Sequence, residues 1–153
     1  MKKTHDLSQL AWTVEGYTPY MWQLEQKYGR IFGSDASCID VRPVPARVPG
    51  SVQGALRQAG LLPDWNVGLN YRQCEWVENR HWLYRTQLPD AWVDRAAQFR
   101  LECAGLDYAG WVYLNGRAIG PFKGTHLPHV FDLTPHIKET GNVLEILFDL
   151  PPR

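Results

Sequence analysis

The sequence predicts an antiparallel β-sandwich, and three observations carry the prediction. Short segments of alternating apolar and polar residues recur through the second half at intervals of about a dozen residues, each bounded by turn formers. An Asn115-Gly116 pair separates two of them, the strongest short-range signal for a two-residue hairpin. No long helical pattern alternates with the strands, as a parallel α/β sheet would require.

The first element is an alternating segment at Ala11 to Tyr17. A helix is expected next, with Thr18 as N-cap, Pro19 at the first helical position, Tyr20, Leu24 and Tyr28 on one face and Gly29 as its stop. Cys38 to Val41 reads as a strand, and Pro43, Pro45 and Pro49 bar any continuation at the centre of a sheet because each lacks the N–H a ladder needs. Ser51 caps a short helix with Val52, Ala55, Leu56 and Ala59 on its apolar side, and Gly60 closes it in a left-handed conformation. Leu61 to Asn79 is loop-like yet holds Trp65, Tyr71 and Trp76, aromatics that either pin a loop to a core or offer a ligand platform. Trp82, Tyr84, Thr86 and Leu88 alternate with Leu83, Arg85 and Gln87, the period of a half-buried strand. Phe99 to Cys103, Trp111 to Leu114, Arg117 to Ile119, Val130 to Leu133 and Val143 to Phe148 complete the strands, with one helical turn at Thr134 to Lys138.

Composition narrows the function. At 153 residues and 17.6 kDa the chain fits one domain, 1–153. Sixteen Lys and Arg balance sixteen Asp and Glu, so no long-range field draws in nucleic acid or an anionic membrane. The longest apolar run is four residues, Trp111 to Leu114, and Thr4, His5 and Asp6 interrupt any export signal after Met1; a cytoplasmic protein is expected. Cys38, Cys74 and Cys103 are odd in number and dispersed, which favours reduced thiols over a disulfide or a zinc site. His126, His129 and His136 lie near one another, but Pro128 removes the helical geometry that would make their spacing informative for metal. Seven Trp, seven Tyr and five Phe suit both a sandwich core and platforms that stack on sugar rings.

Bond-cleaving chemistry is not evident. Two facing carboxylates are needed to hydrolyse a glycoside, yet Asp64, Glu75, Glu78, Asp107 and Asp132 stand singly in loops or at strand ends, where Asp ordinarily turns the chain. There is no nucleophile elbow, phosphate loop or dinucleotide fingerprint, so no catalytic residue, metal or cofactor is expected.

Ordered motifs add a resemblance. Val48-Pro49-Gly50-Ser51-Val52, Ala55-Leu56, Ala59 to Asp64, Leu69-Asn70, Trp76-Val77, and Trp82, Tyr84 and Arg85 are followed by Gly105 to Ala109, Val112 to Gly116 with Gly120, Val130 to Thr134 and Asn142 to Leu144. Over roughly residues 46 to 149 this series resembles the amino-terminal sugar-binding domain of glycoside hydrolase family 2, in its β-mannosidase-like branch. The resemblance implies an all-β, jelly-roll antiparallel sandwich of the galactose-binding type with one or two short helices. It implies as partners an immunoglobulin-like domain, a catalytic barrel that carries both catalytic glutamates, and a neutral carbohydrate.

That branch also uses an Asp-Trp-Gly-Pro segment that this sequence lacks. In the galactosidase branch an Asn ahead of the strand at Trp82 reaches the substrate; Asn79 is the positional match, though a loop Asn is ordinarily a turn residue. Trp76 and Trp82 are the other candidate sugar contacts, against their reading as core or interdomain aromatics. The function expected is a non-catalytic domain that braces the barrel and shapes its pocket. The alternatives are a stand-alone carbohydrate-binding module and a domain used for protein contact alone. Separated from its partner domains, such a domain is expected either to expose an apolar, Trp-rich patch or to bury it in a crystal dimer.

Overall fold

A computed structural model describes residues 3–19, 39–94 and 96–151. Its elements are β1 (Trp12–Tyr17), β2 (Ile39–Ala46), α1 (Val52–Gln58), β3 (His81–Gln87), β4 (Arg100–Cys103), β5 (Ala109–Leu114), β6 (Arg117–Lys123), β7 (His129–Asp132) and β8 (Val143–Phe148). A six-stranded sheet runs β2-β1-β3-β8-β5-β6, and β4 with β7 forms a second, two-stranded sheet. Every pairing is antiparallel. The architecture is the all-β sandwich expected.

Local chemistry explains most elements. The prolines did not stop β2 at Val41; they fixed its place, because a strand carrying Pro43 and Pro45 is tolerated at the edge. Pro43 falls where the β1–β2 register slips between Val14 and Gly16. Ser51 caps α1 by accepting the Gly54 N–H at 3.1 Å, and Gly60 follows the helix with φ of +73°. Asn115 and Gly116 both have positive φ, 53° and 81°, as a type I′ turn between β5 and β6 demands. The helix expected from Thr18 lies, from Tyr20 onward, outside the described residues.

Alternation sorts the large sheet into two faces. Trp12, Val14, Trp82, Tyr84, Val112, Leu114, Leu144 and Ile146 share one face and pack with Leu56 of α1 and with Leu101 and Phe131 of the small sheet. Each large aliphatic side chain so buried contributes about 1.5–3 kcal/mol before chain entropy is counted. The other face was expected to meet solvent. Instead Tyr17, Leu83, Tyr113 and Leu147 form a second buried cluster, and Glu15, His81 and Glu145 are buried beside them, so β3 is covered on both sides.

The segment from Leu61 to Asn79 also differs from expectation. Its second half, Asn70–Asn79, winds into a 3₁₀ helix that delivers the chain to β3. Asp64 starts the compact loop before it, accepting from the Asn66 N–H at 3.1 Å while its main-chain oxygen accepts from Asn70 Nδ2 at 2.9 Å.

Candidate functional site

Trp76, Asn79 and Trp82 come together where the 3₁₀ helix meets β3. Trp82 is 5% exposed, and its indole Nε1–H donates to the Val77 carbonyl at 2.8 Å, which ties the first turn of β3 to the helix before it. The Trp76 ring lies 6.1 Å from the Trp82 ring at 47°, half-buried, with the Arg80 guanidinium 5.8 Å above it. Arg80 is fixed in turn by an ion pair with Asp40 of β2 and by donation to the Asn79 carbonyl at 2.9 Å. Asn79 is exposed at the apex of this corner. The geometry layers a buried indole under a half-open one, beside an exposed amide and a pinned cation.

Four of the exposed large apolar residues fall in the adjoining loop: Leu61, Val67, Leu69 and Tyr71, 48% to 63% exposed. Arg57 lies 5.0 Å from the Trp65 ring and pairs with Asp64 at 2.7 Å, while Arg72 lies 6.0 Å from the Tyr71 ring. Exposed apolar side chains gathered along one loop are the material from which contact surfaces are made. It is built from Leu, Val and Tyr, with Trp65 turned partly inward, and so is not the Trp-rich patch expected.

Sequence reasoning missed a charged network in the second face of the large sheet. Arg85 reaches Glu15 Oε1 at 3.1 Å and Glu145 Oε1 at 3.0 Å, and Tyr17 donates its hydroxyl to Glu15 at 2.7 Å. Burial disfavours the Arg85 charge, but the two carboxylates outweigh it and raise its pKa above the usual value. Arg85 stands directly opposite Glu145 across β3 and β8, while Glu15 on β1 is its diagonal neighbour on the same face, two residues from Thr13, which is opposite Arg85. They do not form a hydrolytic pair: one guanidinium bridges both acids, where a glycoside would have to lie between them. Nearby, buried His81 holds Asp149 Oδ1 at 3.1 Å. Burial pushes the Asp149 carboxyl up, yet the bonds from His81 and the Leu150 N–H and the charge of His81 prevail, holding it below the ordinary carboxylate range.

The remaining candidates serve the fold. Asn115, besides turning the hairpin, donates to the His136 carbonyl and to Asn142 Oδ1 and accepts from the Val143 N–H, each at 2.9 Å. Asp107 accepts from Thr125 Oγ1 at 2.8 Å. His129 lies against the Phe122 and Phe131 rings, and among the described residues no cluster of three or more His, Cys, Asp or Glu could hold a metal ion. Cys74 and Cys103 carry free thiols, and burial pushes that of Cys103 up to about 11.

Between the large sheet and β4 runs a cleft of about 1880 Å³, with Trp82, Tyr84, Ile146 and Phe148 among its lining residues. Pockets for small molecules usually enclose roughly 300–1,000 Å³, so this space is larger than one sugar ring needs. Burial raises the Tyr84 phenol there to about 12, so it stays a neutral donor.

Residues 22–153 match a family model described as the glycosyl hydrolase 2 galactose-binding domain-like domain. The chain is 35% identical over 104 residues to a β-mannosidase B of Thermothelomyces thermophilus, a match that covers 68% of this chain and 12% of that protein. Its fold superimposes on a β-D-mannosidase from Dictyoglomus thermophilum with a TM-score of 0.71 at 26% identity, over 92% of this chain and 15% of the other. A β-glucuronidase of Ruminococcus gnavus shares the fold alone, with a TM-score of 0.58 at 21% identity over 97% of this chain and 22% of the other. The chain thus spans between about an eighth and a quarter of the length of these proteins.

Proposed function

Because the chain belongs to the galactose-binding-like domain family of glycosyl hydrolase 2, we propose that it is the non-catalytic amino-terminal module of a β-mannosidase-like glycosidase. One observation carries the non-catalytic part: the only buried acids that converge among the described residues, Glu15 and Glu145, are locked onto a single arginine. The module braces the catalytic part and shapes one wall of its pocket. The apolar loop around Leu69 and Tyr71 supplies the docking face, and burying it would remove water from the side chains the isolated chain leaves exposed. Asn79 and Trp76, on the 3₁₀ helix that follows this loop, would offer a neutral sugar an amide donor and an indole. Trp82 supports that corner from below through Val77.

The stand-alone carbohydrate-binding module is the competing reading, favoured by the aromatic content. Calorimetric titration of the 153-residue chain with mannose, galactose and short oligosaccharides separates the two. The bracing role predicts no saturable heat at millimolar sugar, whereas binding tighter than about 1 mM, worth roughly 4 kcal/mol, would establish the module reading in its place.

A further inference from the structure

The hairpin between β5 and β6 carries a reactive pair of residues that the fold holds closed. Asn115-Gly116 is the only Asn-Gly pair in the sequence; the other four asparagines precede Val, Tyr, Arg and Val. Glycine has no Cβ, so its peptide nitrogen can approach the side-chain carbonyl carbon of the residue before it. Attack by the Gly116 nitrogen forms an N–Cγ bond, the Gly116 amide proton passes to solvent, and the Cγ–Nδ2 bond breaks as ammonia leaves. Water then opens the five-membered imide at one of its two carbonyls. One opening leaves an aspartate, and the other runs the main chain through Cγ as an isoaspartate. No redox change occurs, and water is the only co-reactant.

Gly116 is exposed, so base and water reach the attacking nitrogen. Conformation is what stands in the way. Ring closure needs the ψ of a type II′ turn at Asn115, about −120°, whereas a type I′ turn holds it at about +30°. The φ values of +53° at Asn115 and +81° at Gly116 are those of type I′, since type II′ needs a negative φ at the second residue. Flipping one peptide interconverts the two, and both turns join two-residue hairpins, so the backbone alone is a weak lock.

The side chain supplies the stronger one. Both Nδ2 hydrogens of Asn115 are engaged, on the His136 carbonyl and on Asn142 Oδ1, and its Oδ1 accepts the Val143 N–H, each at 2.9 Å. Asn142 is fully buried and is itself fixed, accepting the Lys138 N–H and donating to the Lys138 carbonyl, both at 2.8 Å. To meet the Gly116 nitrogen, the Asn115 amide must leave all three of its partners. The reaction also prevents their return. An aspartate oxygen in place of Nδ2 would face two acceptors, the His136 carbonyl and Asn142 Oδ1, with no hydrogen to offer either. An isoaspartate adds one atom to the main chain of a two-residue turn, which the β5–β6 register does not accommodate.

We infer that Asn115 is a latent deamidation site, closed in the folded chain and released when the hairpin parts from Asn142 and Val143, so that its conversion marks chains that have opened and keeps this junction from re-forming.

The test incubates the purified 153-residue chain at mildly alkaline pH, in buffer and in denaturing urea, and follows the tryptic peptide 101–117 by mass spectrometry. That peptide holds a single Asn and no Gln, so a gain of one mass unit reports Asn115 alone. Conversion is expected to be at least about tenfold slower in buffer, and slower by the same factor, within about threefold, as folding slows hydrogen exchange at the Val143 N–H. Equal rates in buffer and urea would overturn the latent site. A mismatch with Val143 exchange beyond that margin, in either direction, would overturn release from Val143 as the gate; faster conversion would mean that the turn flips by itself. Asn115→Asp, the product of one branch, is expected to lower the urea midpoint of the chain, and an unchanged midpoint would overturn the claim that the junction cannot re-form.

Discussion

Replacing Trp82 by Ala distinguishes a packing role from a sugar platform more sharply than any other single substitution. The indole is 5% exposed, lies among Trp12, Val14 and Tyr84 in the main core, and satisfies the Val77 carbonyl at 2.8 Å. Truncating a buried aromatic to Ala costs about 3–5 kcal/mol, and the orphaned carbonyl adds about 1 kcal/mol. For a chain of 153 residues each kcal/mol lowers Tm by roughly 2–4 °C, so the variant should melt at least about 6 °C lower, with an earlier urea midpoint at unchanged slope. Trp82→Phe keeps most of the ring but loses the N–H, and should cost roughly 1–3 kcal/mol. Trp76→Ala, at the half-buried neighbour, should cost about 1 kcal/mol. Urea titration followed by far-UV circular dichroism measures all three. A Trp82→Ala chain within 1 kcal/mol of the parent sequence would refute the placement of this ring in the core.

Other substitutions probe the sheet, the charges and the surface. A Cβ at Gly110 would meet the Leu147 carbonyl oxygen at 1.8 Å and Phe122 Cζ at 2.6 Å, so Gly110→Ala must part β5 from β8 and should cost more than about 3 kcal/mol in a chemical melt. Gly105→Ala, which meets nothing within 4 Å, should stay within about 0.5 kcal/mol. Asp149 has a lowered pKa when folded, so its contribution is present above the unfolded value near 3.9 and is lost as pH falls through the folded one. Asp149→Asn should therefore lower Tm at pH 7, by about 1 kcal/mol equivalent given its partial exposure, and the gap should close below about pH 4. Val67→Lys with Leu69→Lys should leave the chain's melt within about 0.5 kcal/mol, as befits exposed side chains that lie outside this core.

Strand positions were legible because they rest on period and turn chemistry: β8 spans Val143–Phe148 as alternation indicated, and Asn115-Gly116 turns where it should. The extent of β2 was less so, because proline limits a strand's location in the sheet more than its length. The 3₁₀ helix before β3 carries a mixture of polar and aromatic residues with no helical period, so nothing local announced it. Burial of the second sheet face was hidden for a different reason. Glu15, Arg85 and Glu145 read as solvent-facing until their registers bring opposite charges within 3.1 Å. Of the candidate site, Trp76, Asn79 and Trp82 were legible through the motif series and are contiguous in space, but only the fold separates the buried indole from the half-open one.

The role proposed for this chain is to shape a glycosidase without performing hydrolysis. Incubating the purified 153-residue chain with nitrophenyl β-mannoside, β-galactoside and β-glucuronide, and following release of nitrophenol, tests it directly. A rate equal to that of buffer alone is expected with all three. A saturable, enzyme-proportional rate with any of them would contradict it.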